Sequence, residues 1–314
     1  MKKGKTIVST QKSKLKNEQD AVIAGVKITH PMRIFATTKN ISKIAIAEYY
    51  NTISDLILPH LINRPVVLFR CTDGQKNDCF YQKHYNPSFP KSIHRIDIQE
   101  EESNKKSPYM TIKNKTGLLN LIQFSTLEIH TWGSTQKDID KPDRVIFDLD
   151  PGPGVPWKKV IATALLIRQR LLDLKLASFV KTTGGKGLHI VIPIRRTRNW
   201  EQVKSFSKSF AQQLVEEHPN LYTTNPLKAK RQAKIFIDYL RNGRGALAVA
   251  PYSTRAKPGA PISMPLFWEE LESLKSPAQY TVSNINHRLS KLSNDPWKGF
   301  FRCRQTLPIL NSIS

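Results

Sequence analysis

Long apolar runs are missing from this chain of 314 residues, and no stretch approaches the roughly 20 consecutive apolar residues that a membrane-spanning helix needs. Residues 1–20 are lysine-rich and polar and hold no apolar stretch of a secretory leader. Cysteine is scarce. Cys71, Cys79 and Cys303 form an odd set at wide spacing, which supports neither a disulfide framework nor a cysteine zinc site and reads as reduced, structural thiols. Acidic residues are few: 25 Asp and Glu stand against 49 Lys and Arg, a formal net charge of +24. With membrane and export set aside, the expected location is the cytoplasm and the expected partner a polyanion, nucleic acid. A hydrophobic content of 39% excludes a disordered polyelectrolyte. The length suits one large domain or two intimately packed subdomains.

Residues 1–20 read as a flexible basic arm and 21–310 as one globular unit. Apolar residues recur at helical spacing over 42–61, with Ser42 placed to cap the helix. Strands at 65–69 and 79–83 flank a turn at Asp73-Gly74, a hairpin pattern. Further strands are expected at 109–113, 126–131 and 144–149, a short helix at 118–124, and a mobile loop over 100–107. The second half alternates: helices at 157–174 and 200–217, strands at 177–181, 188–194 and 234–237, an extended run at 246–252, then helices at 267–274 and 282–292. No repeat or low-complexity linker divides the halves.

Three segments carry chemistry. In Arg144-Val145-Ile146-Phe147-Asp148-Leu149-Asp150-Pro151, strand alternation points Asp148 and Asp150 to one face, and Pro151 ends the strand beside a loop. Two like charges this close need a cation or a proton between them, and a divalent metal held by oxygen ligands is the natural answer. Asp238 follows a second β-type run, Ile235-Phe236-Ile237. Three strand-end carboxylates can hold two ions about 3.5–4 Å apart. Asp238 has competing readings as a cap or as a partner of Arg241 or Arg244. Between two predicted strands lies Thr183-Gly184-Gly185-Lys186-Gly187-Leu188-His189. Its glycines let backbone N–H groups approach phosphate, while Thr183, Lys186 and His189 add polar donors. It is not a Walker A segment, since the spacing differs and a strand follows. A histidine placed as His130 is more often structural than catalytic, and Arg255 reads as easily as a surface charge as a phosphate clamp.

With these segments in view, the sequence resembles the polymerase domain of bacterial DNA ligase D, a branch of the archaeo-eukaryotic primase superfamily. The resemblance runs over residues 26–307. It includes Ile28-Thr29-His30-Pro31-Met32-Arg33, Arg64-Pro65-Val66-Val67-Leu68-Phe69-Arg70, Phe80-Tyr81-Gln82-Lys83-His84, Glu128-Ile129-His130 and the three segments above, in order. The fold this implies is α/β (α+β): a primase-like core of two packed subdomains, with mainly antiparallel sheets flanked by helices. Asp148, Asp150 and Asp238 would hold two Mn²⁺ or Mg²⁺ ions. Thr183, Lys186 and His189 would bind the incoming triphosphate, with Arg255 and His130 assisting. Arg70 and Lys83 would contact the nucleotide or primer–template. His30, Arg33 and Lys43 would hold a 5′-phosphate at a DNA gap or end, Phe80 or Tyr81 would stack on a template base, and Arg231 would touch the DNA end.

This sequence departs from the family at Thr183, where Ser is usual, and at His30 and Arg33, where Asn and Lys are typical. Arg for Lys keeps the charge and changes its geometry. The hairpin between Arg70 and Lys83 is longer than usual, and no ligase-type segment follows. The expectation is a stand-alone, nucleoid-associated polymerase for end joining or gap repair, favouring ribonucleotides, with Ku and a separate ligase as partners. A primase that starts chains de novo, a non-catalytic DNA-end-binding module and an Asp-x-Asp glycosyltransferase are the competing readings.

Overall fold

The computed structural model describes residues 19–72, 78–101, 103 and 105–308. Residues 1–18 of the expected arm and the turn at Asp73-Gly74 lie outside the described residues. A short hairpin comes first, β1 (Ala21–Ile23) with β2 (Val26–Ile28). The helix expected over 42–61 forms as two, α1 (Lys43–Thr52) and α2 (Ser54–Leu61). Ser42 caps the first: its hydroxyl accepts from the Ala45 N–H at 3.3 Å. The break falls at Ile53, where ψ is 11°. Pro59 sits inside α2, removing one donor and crowding the carbonyl a turn earlier. The apolar stripe still runs through the break, because the Ile53 N–H donates to Tyr49 O at 3.0 Å.

Next come β3 (Val66–Cys71), β4 (Cys79–Gln82), β5 (Ile93–Gln99), β6 (Lys106–Ile112), α3 (Lys115–Gln123) and β7 (Thr126–Thr131). Strand β5 was not expected, although Ile93, Ile96 and Ile98 interleave with His94, Arg95, Asp97 and Gln99. It pairs with β6 and shortens the loop expected over 100–107. The reduced-thiol reading needs correction for two cysteines. Cys71 and Cys79 are cross-strand neighbours in the β3–β4 hairpin, with Cα atoms 4.1 Å apart, and form a disulfide; Cys303 is free. Counting along the chain hides this pair, because only the hairpin register brings the two sulfurs together.

The second half supplies β8 (Arg144–Pro151), α4 (Trp157–Asp173), β9 (Phe179–Thr182), β10 (Leu188–Pro193), α5 (Trp200–Glu217), β11 (Tyr222–Thr223), β12 (Ile235–Asp238), β13 (Ala248–Val249), β14 (Pro265–Leu266) and α6 (Ile285–Leu289). Two expected helices shrink. The one over 267–274 is a single 3₁₀ turn at Trp268–Glu270, and the one over 282–292 is α6 alone. In the first stretch the buried residues Trp268, Leu271 and Leu274 recur every three positions, the spacing of a 3₁₀ turn, and in the second only Ile285 is a buried hydrophobic.

Two six-stranded sheets result. One runs β11-β12-β8-β10-β9-β14 and is antiparallel except between β11 and β12; the other runs β13-β7-β3-β6-β5, with β4 added on β3. Helices α4 and α5 pack on the back of the first sheet, where Phe147 meets Phe210 with ring centroids 4.9 Å apart. By strand alternation Asp148 and Asp150 then face the other way, toward the second sheet. The segment between β13 and β14 crosses from one sheet to the other and closes the seam. Among the described residues no helix is long and apolar enough to cross a membrane.

Candidate active site

Register builds the centre of the site. Asp238 on β12 lies opposite Asp148 on β8, Asp148 opposite His189 on β10, and His189 opposite Lys181 on β9. Directly opposed residues share a face, so four ionisable side chains form one row across four strands. Asp150 stands two residues along β8 on the same face. Leu149 and Phe147 are buried on the other face, which fixes the register: a slip of one residue would bury the carboxylates among the helices.

The row is electrostatically strained and neutralised by arginine. Arg241 Nε lies 3.1 Å from Asp238 Oδ2 and 3.4 Å from Asp148 Oδ2, a charge contact without a directed hydrogen bond. Arg231 Nη1 donates to Asp150 Oδ2 at 2.8 Å and its guanidinium stacks 3.8 Å from the centre of the Phe236 ring. Burial raises the Asp150 carboxyl, and repulsion from Asp148 adds to it. Burial raises Asp238 as well, against the pull of Arg241. For Asp148 burial is outweighed by His189, Arg241 and Lys181, which hold it down to about 2. His189 is pushed down to about 4 by burial and by Lys181, so at neutral pH its ring is uncharged, with Nε2 3.4 Å from Asp148 Oδ2.

Among the described residues no three carboxylate, histidine or cysteine side chains converge on one point that could hold a metal ion. The arginines account for that. Arg241 stands between Asp148 and Asp238, and Arg231 draws Asp150 aside. Carboxylates crowded so closely that two arginines must stand in as counter-cations are the donor set a hard divalent ion requires. Both cap and ion-pair readings of Asp238 also hold, since its Oδ1 accepts from the Leu240 N–H at 2.8 Å.

Beside the carboxylates opens a cavity of about 440 Å³ bordered by Lys186, Arg255, Lys257, His130 and Tyr81. Its floor is the β9–β10 loop. Thr183 holds that loop closed: its hydroxyl accepts from the Gly185 N–H at 3.1 Å and the Gly187 N–H at 3.2 Å, and donates to Gly187 O at 3.1 Å. Gly184 has φ +63°, a conformation that favours glycine, and a Cβ on Gly187 would lie 1.8 Å from Leu149 O. Thr183 therefore shapes the glycine loop, and Lys186 is the exposed cation upon it.

The second sheet supplies the opposite wall. His130 Nε2 is 2.8 Å from Glu128 Oε2, and Arg255 Nε is 2.9 Å from the same oxygen. Arg255 Nη1 also donates to Thr183 O at 2.6 Å. Tyr81 is 57% exposed and packs edge-on against His130, 5.6 Å between ring centroids. Its neighbour Phe80 points to the other face of the strand, with the Arg70 guanidinium 5.5 Å from its ring centre.

Arg70 and Lys83 do not reach this cavity. Arg70 Nε donates to Phe124 O at 2.7 Å on the Phe80 side, and Lys83 pairs with Glu100 at 3.5 Å over the Tyr109 ring. His30, Arg33 and Lys43 do come together, in the turn after β2: Arg33 N–H donates to His30 O, and Lys43 N–H to Arg33 O. Lys43 is buried, its ammonium donating to Thr29 O at 2.9 Å and Gln123 Oε1 at 2.8 Å, and burial with the nearby Arg33 lowers it to about 8. Glu128 carries no separate signal in the sequence beyond its place two residues before His130. Lys181 and Lys257 were not expected in the site, and Arg241 only as a partner of Asp238. For Glu128 the signal was strand parity with His130; for the others there was nothing short of the cross-strand register and the folded loops.

Residues 42–297 match the family described as LigD, primase-polymerase domain. The multifunctional non-homologous end joining protein LigD of Pseudomonas aeruginosa is 37% identical over 91% of this chain and 34% of its own length. The bifunctional LigD of Bacillus subtilis is 28% identical over 92% of this chain and 47% of its own length. The chain thus spans less than half the length of either relative. Among solved structures, the polymerase domain of Mycobacterium tuberculosis ligase D in complex with DNA superposes with a TM-score of 0.80 at 25% identity, over 88% of this chain and 98% of that one.

Proposed function

This chain belongs to the LigD primase-polymerase family, and on that premise we propose that it is a template-directed nucleotidyltransferase that extends DNA at gaps or double-strand break ends. The observation that carries the proposal is the register of Asp238, Asp148 and Asp150 on one sheet face, opening onto a cavity rimmed by Lys186, Arg255 and Lys257. Two divalent ions, manganese or magnesium, held by the three carboxylates would activate a primer 3′-hydroxyl and neutralise the departing pyrophosphate.

The chain's own residues do the rest. Lys186, Arg255 and Lys257 bind the triphosphate, over a loop whose shape Thr183 fixes. Tyr81, exposed at the mouth, stacks on a base, with Phe80 on the outer face of the same strand. His30 and Arg33, in the turn after β2, form the seat for a 5′-phosphate, with the buried Lys43 ammonium behind them. Arg70 and Lys83 flank the primer–template outside the cavity. Arg231, paired with Asp150 at the strand end, would face the DNA end. Ku and a separate ligase are the proposed partners, at the nucleoid.

Primer extension on gapped duplexes tests this, with and without the 5′-phosphate, with ribo- or deoxynucleotides and either metal. Extension is expected when gapped duplex, nucleotide and metal are all present, and stronger with the phosphate. A chain inert on every substrate would remove the polymerase reading, and synthesis without any primer would shift it to a primase.

Arg241 gives a second test. It competes with an ion for Asp148 and Asp238, so Arg241→Ala should tighten Mn²⁺ binding about tenfold, the coupling expected of opposite charges this close. Electron paramagnetic resonance of free Mn²⁺, without nucleotide or DNA, measures it. Unchanged affinity would show that the arginine and the ion do not compete.

A further inference from the structure

Glu128 touches two groups that line the cavity, His130 of the second sheet and Arg255 of the segment crossing between the sheets, while standing outside the lining itself. Resting on the polymerase reading above, we propose that Glu128 is the positioning residue of the nucleotide site. It fixes the tautomer of His130 and aims the Arg255 guanidinium at the phosphate loop.

The geometry is specific. Glu128 lies on β7 and is 4% exposed. Oε2 meets His130 Nε2 at 2.8 Å and Arg255 Nε at 2.9 Å, while Oε1 accepts from the Ala256 N–H at 2.9 Å. Both carboxylate oxygens are therefore committed to groups at the seam. Burial would raise this carboxyl, yet the His130 hydrogen bond, the Arg255 charge and the Ala256 N–H bring it down to about 2. An ionised carboxylate only accepts hydrogen bonds, so His130 must carry its proton on Nε2. Burial lowers His130, which keeps the ring neutral and leaves Nδ1 as an acceptor for a donor on the bound nucleotide.

Arg255 completes the link. From Glu128 it reaches across the seam and donates through Nη1 to Thr183 O at 2.6 Å. One carboxylate on the second sheet thus sets the place of a cation over the glycine loop of the first. A purely structural ion pair would join the sheets equally well, but it would not require a defined imidazole tautomer, nor that both partners line the cavity.

The test uses the full chain and Glu128→Gln, which keeps the shape and the acceptor for Ala256 while removing the charge. Steady-state extension of a gapped, 5′-phosphorylated duplex should show the nucleotide KM rising about tenfold or more, the loss expected when one charge-assisted hydrogen bond, to His130, and the ion pair with Arg255 are weakened together. The Kd for the same DNA should stay within twofold. A nucleotide KM within twofold of wild type overturns the proposal and leaves the polymerase reading standing; a wild-type chain that extends no primer overturns both. Imidazole ¹⁵N chemical shifts of the wild-type protein give a readout that does not depend on how the variant folds. His130 protonated on Nε2 supports the assignment, and His130 protonated on Nδ1 overturns it.

Discussion

Replacing Asp148 by Ala should reduce nucleotide addition by about a thousand-fold or more while leaving affinity for gapped DNA within about twofold. The size follows from what the carboxylate does. Metal stabilisation of charge at a reacting phosphoryl group is worth several kcal/mol, and each 1.36 kcal/mol is a factor of ten in rate. Asp148 is the member of the triad that cannot be spared, because it is opposed by Asp238 on one side and His189 on the other. Asp150, at the strand end with a more exposed side chain, should be costly too, but its variant keeps the central pair. DNA affinity should survive because it comes from Lys and Arg on phosphate, of which the chain has 49. Removing one carboxylate makes the surface more positive, so binding weakened in parallel with extension would point to misfolding. A variant that extends primers at more than about a tenth of the wild-type rate would take Asp148 out of the chemistry.

The parts of this site that could be read from sequence are those that strand alternation determines. Asp148 and Asp150 on one face, with Leu149 turned to the core, needed only a period of two. Helix α5 was expected at the bounds it has, and the structure adds the Asn199 side chain as its cap. The glycine loop was placed between its two strands for the same local reasons. Cross-strand register was not legible. Nothing local states that Asp238 faces Asp148, that Lys181 stands behind His189, or that Cys71 meets Cys79. The role given to Arg70 depended on parity as well. It was grouped with nucleotide contacts, but it shares the outer face with Phe80 while Tyr81 takes the inner one. Thr183 was read as a phosphate ligand, and the loop uses its hydroxyl internally.

The largest effect on stability should come from Asp143→Ala, at the end of the sheet seam away from Asp150. Arg64 precedes β3 in the second sheet and Arg144 opens β8 in the first. Asp143 receives Arg64 Nη2 at 2.6 Å and Arg144 Nε at 2.8 Å. The arginine side chains are 3% and 4% exposed, and the carboxylate 22%. The Asp143 backbone adds to the joint, since its N–H donates to Gly133 O and its carbonyl accepts from the Ile194 N–H. Burial pushes the Arg144 guanidinium down to about 10, and repulsion from Arg64 adds to it, so the pair of cations depends on the acid between them. Deleting one partner of a buried pair leaves an uncompensated charge and costs about 3–5 kcal/mol. In a chain of this size that corresponds to a Tm lower by about 5–8 °C. The pH dependence has a definite sign. Burial opposes ionisation of Asp143, but Arg144 and Arg64 hold its folded-state pKa below the usual carboxylate value. Its contribution is therefore complete above the unfolded pKa and is lost as pH falls through the folded one. Urea titrations at neutral pH and at progressively lower pH should show wild type and variant converging as the solution becomes acidic. A variant with wild-type Tm at pH 7, or a gap that widens on acidification, would show that this acid does not hold the two sheets together.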